Sequence, residues 1–154
     1  MSRRDQPPVK ENGMTTLSTK RAIPATPAEV FAAFQAPERL ERWWGPDGFT
    51  NTFETFEFVT GGRWAFKMHG PDGKTYPNES RFLAIVPDRE VVIRHDCAPY
   101  FTLTVTLHDD PDGTLLTWDQ AFDDPKVADA VRHIVIPSNE QNLDRLTAEV
   151  QAGS

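Results

Sequence analysis

Histidine titrates near neutrality, so the chain's four histidines are the first candidates for acid–base chemistry. His95 shares strand parity with Val91, Ile93 and Cys97, which points it inward as a ligand contact or general base. His133, beside Ile134 in a helical stretch, is a second candidate for an interior cavity. His69 opens the Gly70-Pro71-Asp72-Gly73 turn and His108 precedes Asp109-Asp110, so both read as solvated. The four lie on separate elements without paired-ligand spacing, and no zinc or other metal site is expected. Glu79 and Arg81 share parity with Leu83 and Ile85; if they point inward they must pair, as a structural bridge or a polar anchor. Phe82 opposes Leu83, which leaves the inward face of that strand open. Arg94 and Asp96 read as an outer-face pair on their own strand. Gln120 sits among the inward-facing Leu116, Trp118 and Phe122, and Asn139 and Asn142 are further uncharged hydrogen-bonding candidates. Cys97 reads as a buried structural residue, since as a nucleophile it would need a base nearby. The chain has no Gly-x-Ser-x-Gly elbow, phosphate-cradling glycine loop or dinucleotide fingerprint. Gly61-Gly62 leads into a strand and reads as a hairpin turn.

Ten phenylalanines and four tryptophans supply the apolar surface. Trp43, Trp44, Trp64, Phe66, Met68, Phe101, Trp118 and Phe122 are the set from which an aromatic pocket for a flat or lipid-like molecule would be drawn, with ordinary core packing as the competing role. Trp43, at the end of a short helix near a turn, is the candidate lid. A net charge of −7 and a pI near 5.0 disfavour nucleic acid as a partner. No apolar run approaches the roughly 20 residues that cross a bilayer, and no apolar signal core follows the N-terminus. A single cysteine suits a reducing compartment, so the expectation is a cytoplasmic domain with no membrane partner and no cofactor.

These residues must be positioned by a mostly antiparallel sheet and one long helix. Residues 1–13 read as a flexible lead-in and 14–151 as a single domain. Thr15–Ile23 alternates as a first strand; Thr26-Pro27 caps a short helix with Val30, Phe31 and Phe34 on one side; Pro37 opens another, to Trp44. Six strand signals follow, over Thr50–Phe58, Arg63–His69, Thr75–Val86, Glu90–Cys97, Tyr100–His108 and Thr114–Phe122. Asp124-Pro125 caps the final helix, whose apolar positions run from Val127, Val131, Ile134 and Val135 to Leu143, Leu146 and Val150. Pro137, followed by a capping-box-like Ser138 and Gln141, predicts a kink or break near Ile136–Asn139. The fold class is α+β, a meander of about seven strands curling around the helix and leaving a pocket where large side chains fail to fill its concave side.

The runs Arg42-Trp43-Trp44-Gly45-Pro46, Gly61-Gly62-Arg63-Trp64, Met68-His69-Gly70-Pro71-Asp72-Gly73 and Leu143-Asp144-Arg145-Leu146, in this order and spacing, resemble the bacterial Hsp90-ATPase-activator-homologue-1-like proteins of the START-like, or polyketide-cyclase-like, superfamily. The resemblance spans about Thr15 to Val150 and implies a helix-grip fold, a curved antiparallel sheet gripping a C-terminal helix over an elongated cavity. Many such relatives carry Asp and Arg where this chain has Glu57 and Val59, and Gly-Trp where it has Ser138-Asn139; both sites are expected to face or border the cavity. Fold transfers across such a family better than function. The expected function is binding of a small, largely apolar or aromatic molecule, with Trp43, Trp64, Phe66, Met68, Glu79, His95, Phe101, Trp118, Gln120, Phe122, His133 and Asn139 as cavity residues. The alternatives are a cyclase, isomerase or hydrolase using the same cavity, and a stress-response co-chaperone acting on Hsp90. A homodimer through a sheet edge or aromatic surface is a further expectation.

Overall fold

The computed structural model describes residues 15–153; the lead-in expected over residues 1–13 lies outside them. The elements are β1 (Thr15–Ile23), α1 (Pro27–Gln35), α2 (Pro37–Trp43), β2 (Thr50–Phe56), β3 (Arg63–His69), β4 (Thr75–Val86), β5 (Glu90–His95), β6 (Phe101–Asp110), β7 (Gly113–Phe122) and α3 (Pro125–Gly153). All strands join one antiparallel seven-stranded sheet in the order β1-β7-β6-β5-β4-β3-β2. Short turns make β2 to β7 a meander, as two-faced alternating strands dictate. At Gly113, φ is 141° and a Cβ would collide with the Ile23 carbonyl, so the β6–β7 turn fits under the end of β1 only as glycine. Because β1 and β2 are opposite edges, the segment α1–α2 carries the chain from one edge to the other. The curved sheet, these helices and α3 form the helix-grip fold.

Local chemistry fixes the helices. Thr26 and Glu29 form a capping box at α1, with Thr26 Oγ1 accepting from Glu29 N at 3.2 Å and Glu29 Oε1 from Thr26 N at 2.8 Å. Asp124 Oδ1 accepts from Lys126 N at 2.9 Å and starts α3. The expected break at Pro137 does not occur; α3 is helical from Pro125 to Gly153. His133, whose carbonyl loses its helical donor, and Pro137 are both on the solvent side, where water can serve the freed oxygen. The inward stripe is Ala128, Val131, Val135, Asn139, Asn142, Leu146 and Val150, flanked by Leu143, and leaves Ile134, expected inside, 57% exposed.

A large cluster beneath α1, α2 and the C-terminal half of α3 centres on Trp43, Trp64, Phe82 and Leu146. A smaller one joins Leu17, Phe122 and Ala128 with Val127, Val131 and Val135, and Phe101 packs against both. On β4 the register shifts between Phe82 and Ala84. This bulge explains the ambiguous parity of that strand: Ser80 and Phe82 face in, Leu83 faces out, and Ile85 returns to the core.

Candidate functional site

The alternation of five neighbouring strands brings a common face to one cavity of about 420 Å³. β3 contributes Phe66 and Met68, β4 Tyr76, Asn78 and Ser80, and β5 Ile93 and His95. β6 adds Phe101 and Leu103, and β7 Trp118 and Gln120. The registers Ser80↔His95, His95↔Phe101 and Leu103↔Gln120 lay these residues in rows across the sheet. α3 closes the space with Asn139 and Asn142, and the stretch Trp44-Gly45-Pro46 forms another wall. The exposed Tyr76, Pro77, Ala98 and Pro99 rim the mouth.

Hydrogen bonds hold these walls in place. Asn139 Nδ2 donates to Gln120 Oε1 at 3.0 Å, tying α3 to β7 across the cavity. Asn142 Nδ2 donates to the Trp43 carbonyl at 2.8 Å. Arg145 gathers the carbonyls of Arg42 (2.7 Å), Pro46 (2.8 Å), Gly45 (2.9 Å), Phe49 (3.0 Å) and Trp44 (3.5 Å). A guanidinium has the donors and the planar fork for such a set. Burial lowers the Arg145 pKa, opposed by the charge of Asp47. Asn51 Nδ2 donates to the Glu41 and Trp44 carbonyls at 3.1 and 2.9 Å and completes the support of this wall.

His95 is the wall's basic group. Its Nδ1 is 2.8 Å from the Pro99 carbonyl, which can only accept, so Nδ1 carries the proton. Nε2 is 2.8 Å from Asn78 Oδ1 and 3.5 Å from Cys97 Sγ. The ring stacks on Phe101 at a centroid distance of 4.5 Å. Burial lowers the pKa of His95 below 6.5, against the raising effect of its Pro99 and Cys97 backbone partners. Nε2 faces the Asn78 oxygen, while the Asn78 NH₂ donates to the Tyr76 carbonyl at 3.0 Å; a ring donating at both nitrogens is charged, and a neutral ring calls for the flipped amide. Among the described residues no Lys, Arg, Asp or Glu lines the cavity. Nor, among them, does any group of three or more His, Cys, Asp or Glu come together as a metal site.

The sequence profile of the family described as Activator of Hsp90 ATPase homolog 1-like protein matches residues 24–151. The chain belongs to this family. Its fold recurs in a protein from Nitrosomonas europaea, 18% identical, with a TM-score of 0.82 over 90% of this chain and 95% of that one. A Chromobacterium violaceum protein is 24% identical, with a TM-score of 0.78 over 87% of this chain and 96% of that one. The AHSA1-like protein from Aeromonas hydrophila is 20% identical, with a TM-score of 0.72 over 90% and 94%. Comparison with curated protein sequences gives no significant match. These likenesses establish the helix-grip fold of the Hsp90-activator-like family.

Of the residues expected around a cavity, Phe66, Met68, His95, Phe101, Trp118, Gln120 and Asn139 come together. Trp43 is not a lid: it is 1% exposed, and its indole Nε1 donates to the Ala33 carbonyl at 2.9 Å, fastening α2 to α1. The next residue, Trp44, takes the wall position. Trp64 is fully buried, stacked on Phe66 and Phe82 with centroids 4.3 and 5.6 Å away. Glu79 lies on the outer face and pairs with Arg63 at 2.6 Å, and Arg81 pairs with Asp96, because the inward parity belongs to Ser80 and Phe82. Arg94 therefore pairs not with Asp96 but with Asp123, at 2.7 Å. Phe122 lies in the smaller cluster, and His133 is exposed on α3. Of the family departures, Asn139 lines the cavity, whereas Glu57 accepts from Arg63 N in the β2–β3 connection and Val59 is 60% exposed. Sequence reasoning missed Tyr76, Asn78 and Ser80; the placement of charged Glu79 and Arg81 on the opposite parity was the available signal.

Proposed function

We propose that this protein binds a small, largely apolar or aromatic molecule between the sheet and α3. The observation that supports this most is the cavity of about 420 Å³, walled by Trp44, Phe66, Phe101 and Trp118 and set with a few uncharged polar groups. Ligand sites are commonly roughly 300–1,000 Å³ and of this character. Burying on the order of 200 Å² of apolar ligand surface, at about 25 cal/mol per Å², contributes roughly 5 kcal/mol before the costs of association.

Binding is favoured over turnover by the wall's ionisable groups, which among the described residues are His95 and Tyr76 alone. Desolvation, with the hydrogen bond to Asp72, raises the pKa of Tyr76, so this pair does not supply two groups that both titrate near neutrality. A cytoplasmic location accompanies this reading, on the composition already described. No helix among the described residues is long and apolar enough to cross a membrane.

Native mass spectrometry of protein purified gently from its own host, beside a denatured control, tests the proposal. The expected result is a discrete extra mass lost on denaturation, and loss of that mass in Phe101→Ala and Trp118→Ala. A bare chain mass, with no thermal shift across a panel of flat aromatics and lipids, would overturn it.

A further inference from the structure

Ser80, Gln120 and Asn142 line the cavity while only 3%, 8% and 6% exposed. Each keeps unused hydrogen-bonding capacity. Gln120 gives its oxygen to Asn139, which leaves its NH₂ free to donate. Asn142 gives its NH₂ to the Trp43 carbonyl, which leaves its oxygen free to accept. The Ser80 hydroxyl has no hydrogen-bond partner among the described residues. Polar side chains this enclosed are normally paired, and here the space beside them is the cavity.

Their placement is two-ended. Ser80 is on β4 and Gln120 on β7, separated by β5 and β6. Ser80 is in register with His95, Phe101 and Phe122, so Gln120 lies three strand spacings of about 4.8 Å across and two residues, about 6.8 Å, along, roughly 16 Å away between Cα atoms. A hydrogen bond of about 3 Å at each end leaves about 10 Å between the ligand atoms that would meet them. Between the two ends the sheet presents Ile93, Leu103 and Phe101, with His95 directly beside Ser80. Among the described residues no Lys, Arg, Asp or Glu lines the space, and both nitrogens of His95 are already engaged by the Pro99 carbonyl and Asn78, so an ion bound there would be desolvated without a free counter-charge.

We infer that the ligand is an uncharged planar aromatic with hydrogen-bonding oxygens at opposite ends, one met by Ser80 and the other by the Gln120 NH₂. The inference rests on the binding function proposed above. Its test uses three fused-ring probes of matched size: naphthalene, a hydroxynaphthyl methyl ketone with its two oxygens at opposite ends, and the hydroxynaphthoate of the same geometry, which is an anion at pH 7. Tryptophan fluorescence titration of the full chain reads the affinities. The ketone should bind at least about 10-fold more tightly than either of the others. Ser80→Ala and Gln120→Leu should each weaken the ketone about 5- to 20-fold and leave naphthalene unchanged. Melting curves show whether each variant is folded; if Gln120→Leu is not, Ser80→Ala carries the test alone. Naphthalene or the naphthoate binding as tightly as the ketone, or a folded Ser80→Ala with unchanged ketone affinity, would overturn the two-ended assignment while leaving a binding cavity in place. Failure of all three probes to bind would count against both proposals.

Discussion

Arg145 shows how much of this site's geometry rests on one side chain that does not line the cavity. Its bonds to carbonyls from Arg42 to Phe49 hold a stretch without regular structure as a fixed wall. Lysine keeps the charge but has neither the fork nor the reach for both ends of that set. Arg145→Lys is expected to cost about 2–3 kcal/mol, read as a shift of the urea midpoint. His95 gives a second prediction, with a defined sign. Its folded pKa lies below the unfolded 6.5, so its stabilising contribution is complete above pH 6.5 and is lost as pH falls through the folded value. His95→Phe should flatten that part of the stability–pH profile; the neighbouring charges of Arg94 and Asp96 oppose one another and remain in the variant. At this scale the sequence was only partly readable. Parity turned His95 and Gln120 toward the sheet face that lines the cavity, but the choice of Trp43 over Trp44 is reversed in the structure, because a single step along the end of α2 decides which faces α1 and which the cavity.

The elements themselves were more legible than their faces. Unbroken alternation in Phe101–Leu107 and Leu116–Phe122 left one solution for β6 and β7, whereas the β4 bulge reverses parity within a strand and so hid Ser80 behind Glu79. In α3 the stripe is regular, but Asn139 and Asn142 occupy two of its positions, and a search for apolar residues selects Ile134 instead. Pro137 was read as a breaker because its exposure is invisible in sequence. Pro137→Ala is expected to raise stability by about 1–3 kcal/mol by restoring the bond to the His133 carbonyl, measured by thermal unfolding. The join between α2 and α3 adds an ion-pair cluster to its apolar packing: Glu149, its side chain 10% exposed, accepts from Arg42 at 2.8 Å and Arg39 at 3.1 Å. The Arg42 hydrogen bond, with that of Arg39, lowers the Glu149 pKa below 4.5 against desolvation. Glu149→Gln should therefore cost about 1–2 kcal/mol at neutral pH, and the difference from wild type should vanish as pH falls from about 4.5 through the lower folded value.

At the scale of the whole molecule, the cavity is what remains where the helix stripe turns from aliphatic to amide and the two apolar clusters share Phe101. That a sheet of this length would leave such a space follows from alternation and curvature. Which polar groups would be left over inside it depends on hydrogen bonds between residues far apart in sequence, as between Asn139 and Gln120, and on no local pattern. The strand order has a further, kinetic consequence. β2 to β6 each pair with their immediate successor, while β1 pairs Thr15 with Phe122 and can join the sheet only once β7 exists. Closing so long a loop is entropically slow, which places β1 among the last elements to dock during synthesis on the ribosome or refolding. Leu17→Ala, beneath α3, should thus accelerate unfolding in stopped-flow experiments while leaving the refolding rate nearly unchanged. The edge that comes last in folding is the first to be released, so how firmly β1 holds on sets how soon the sheet begins to open.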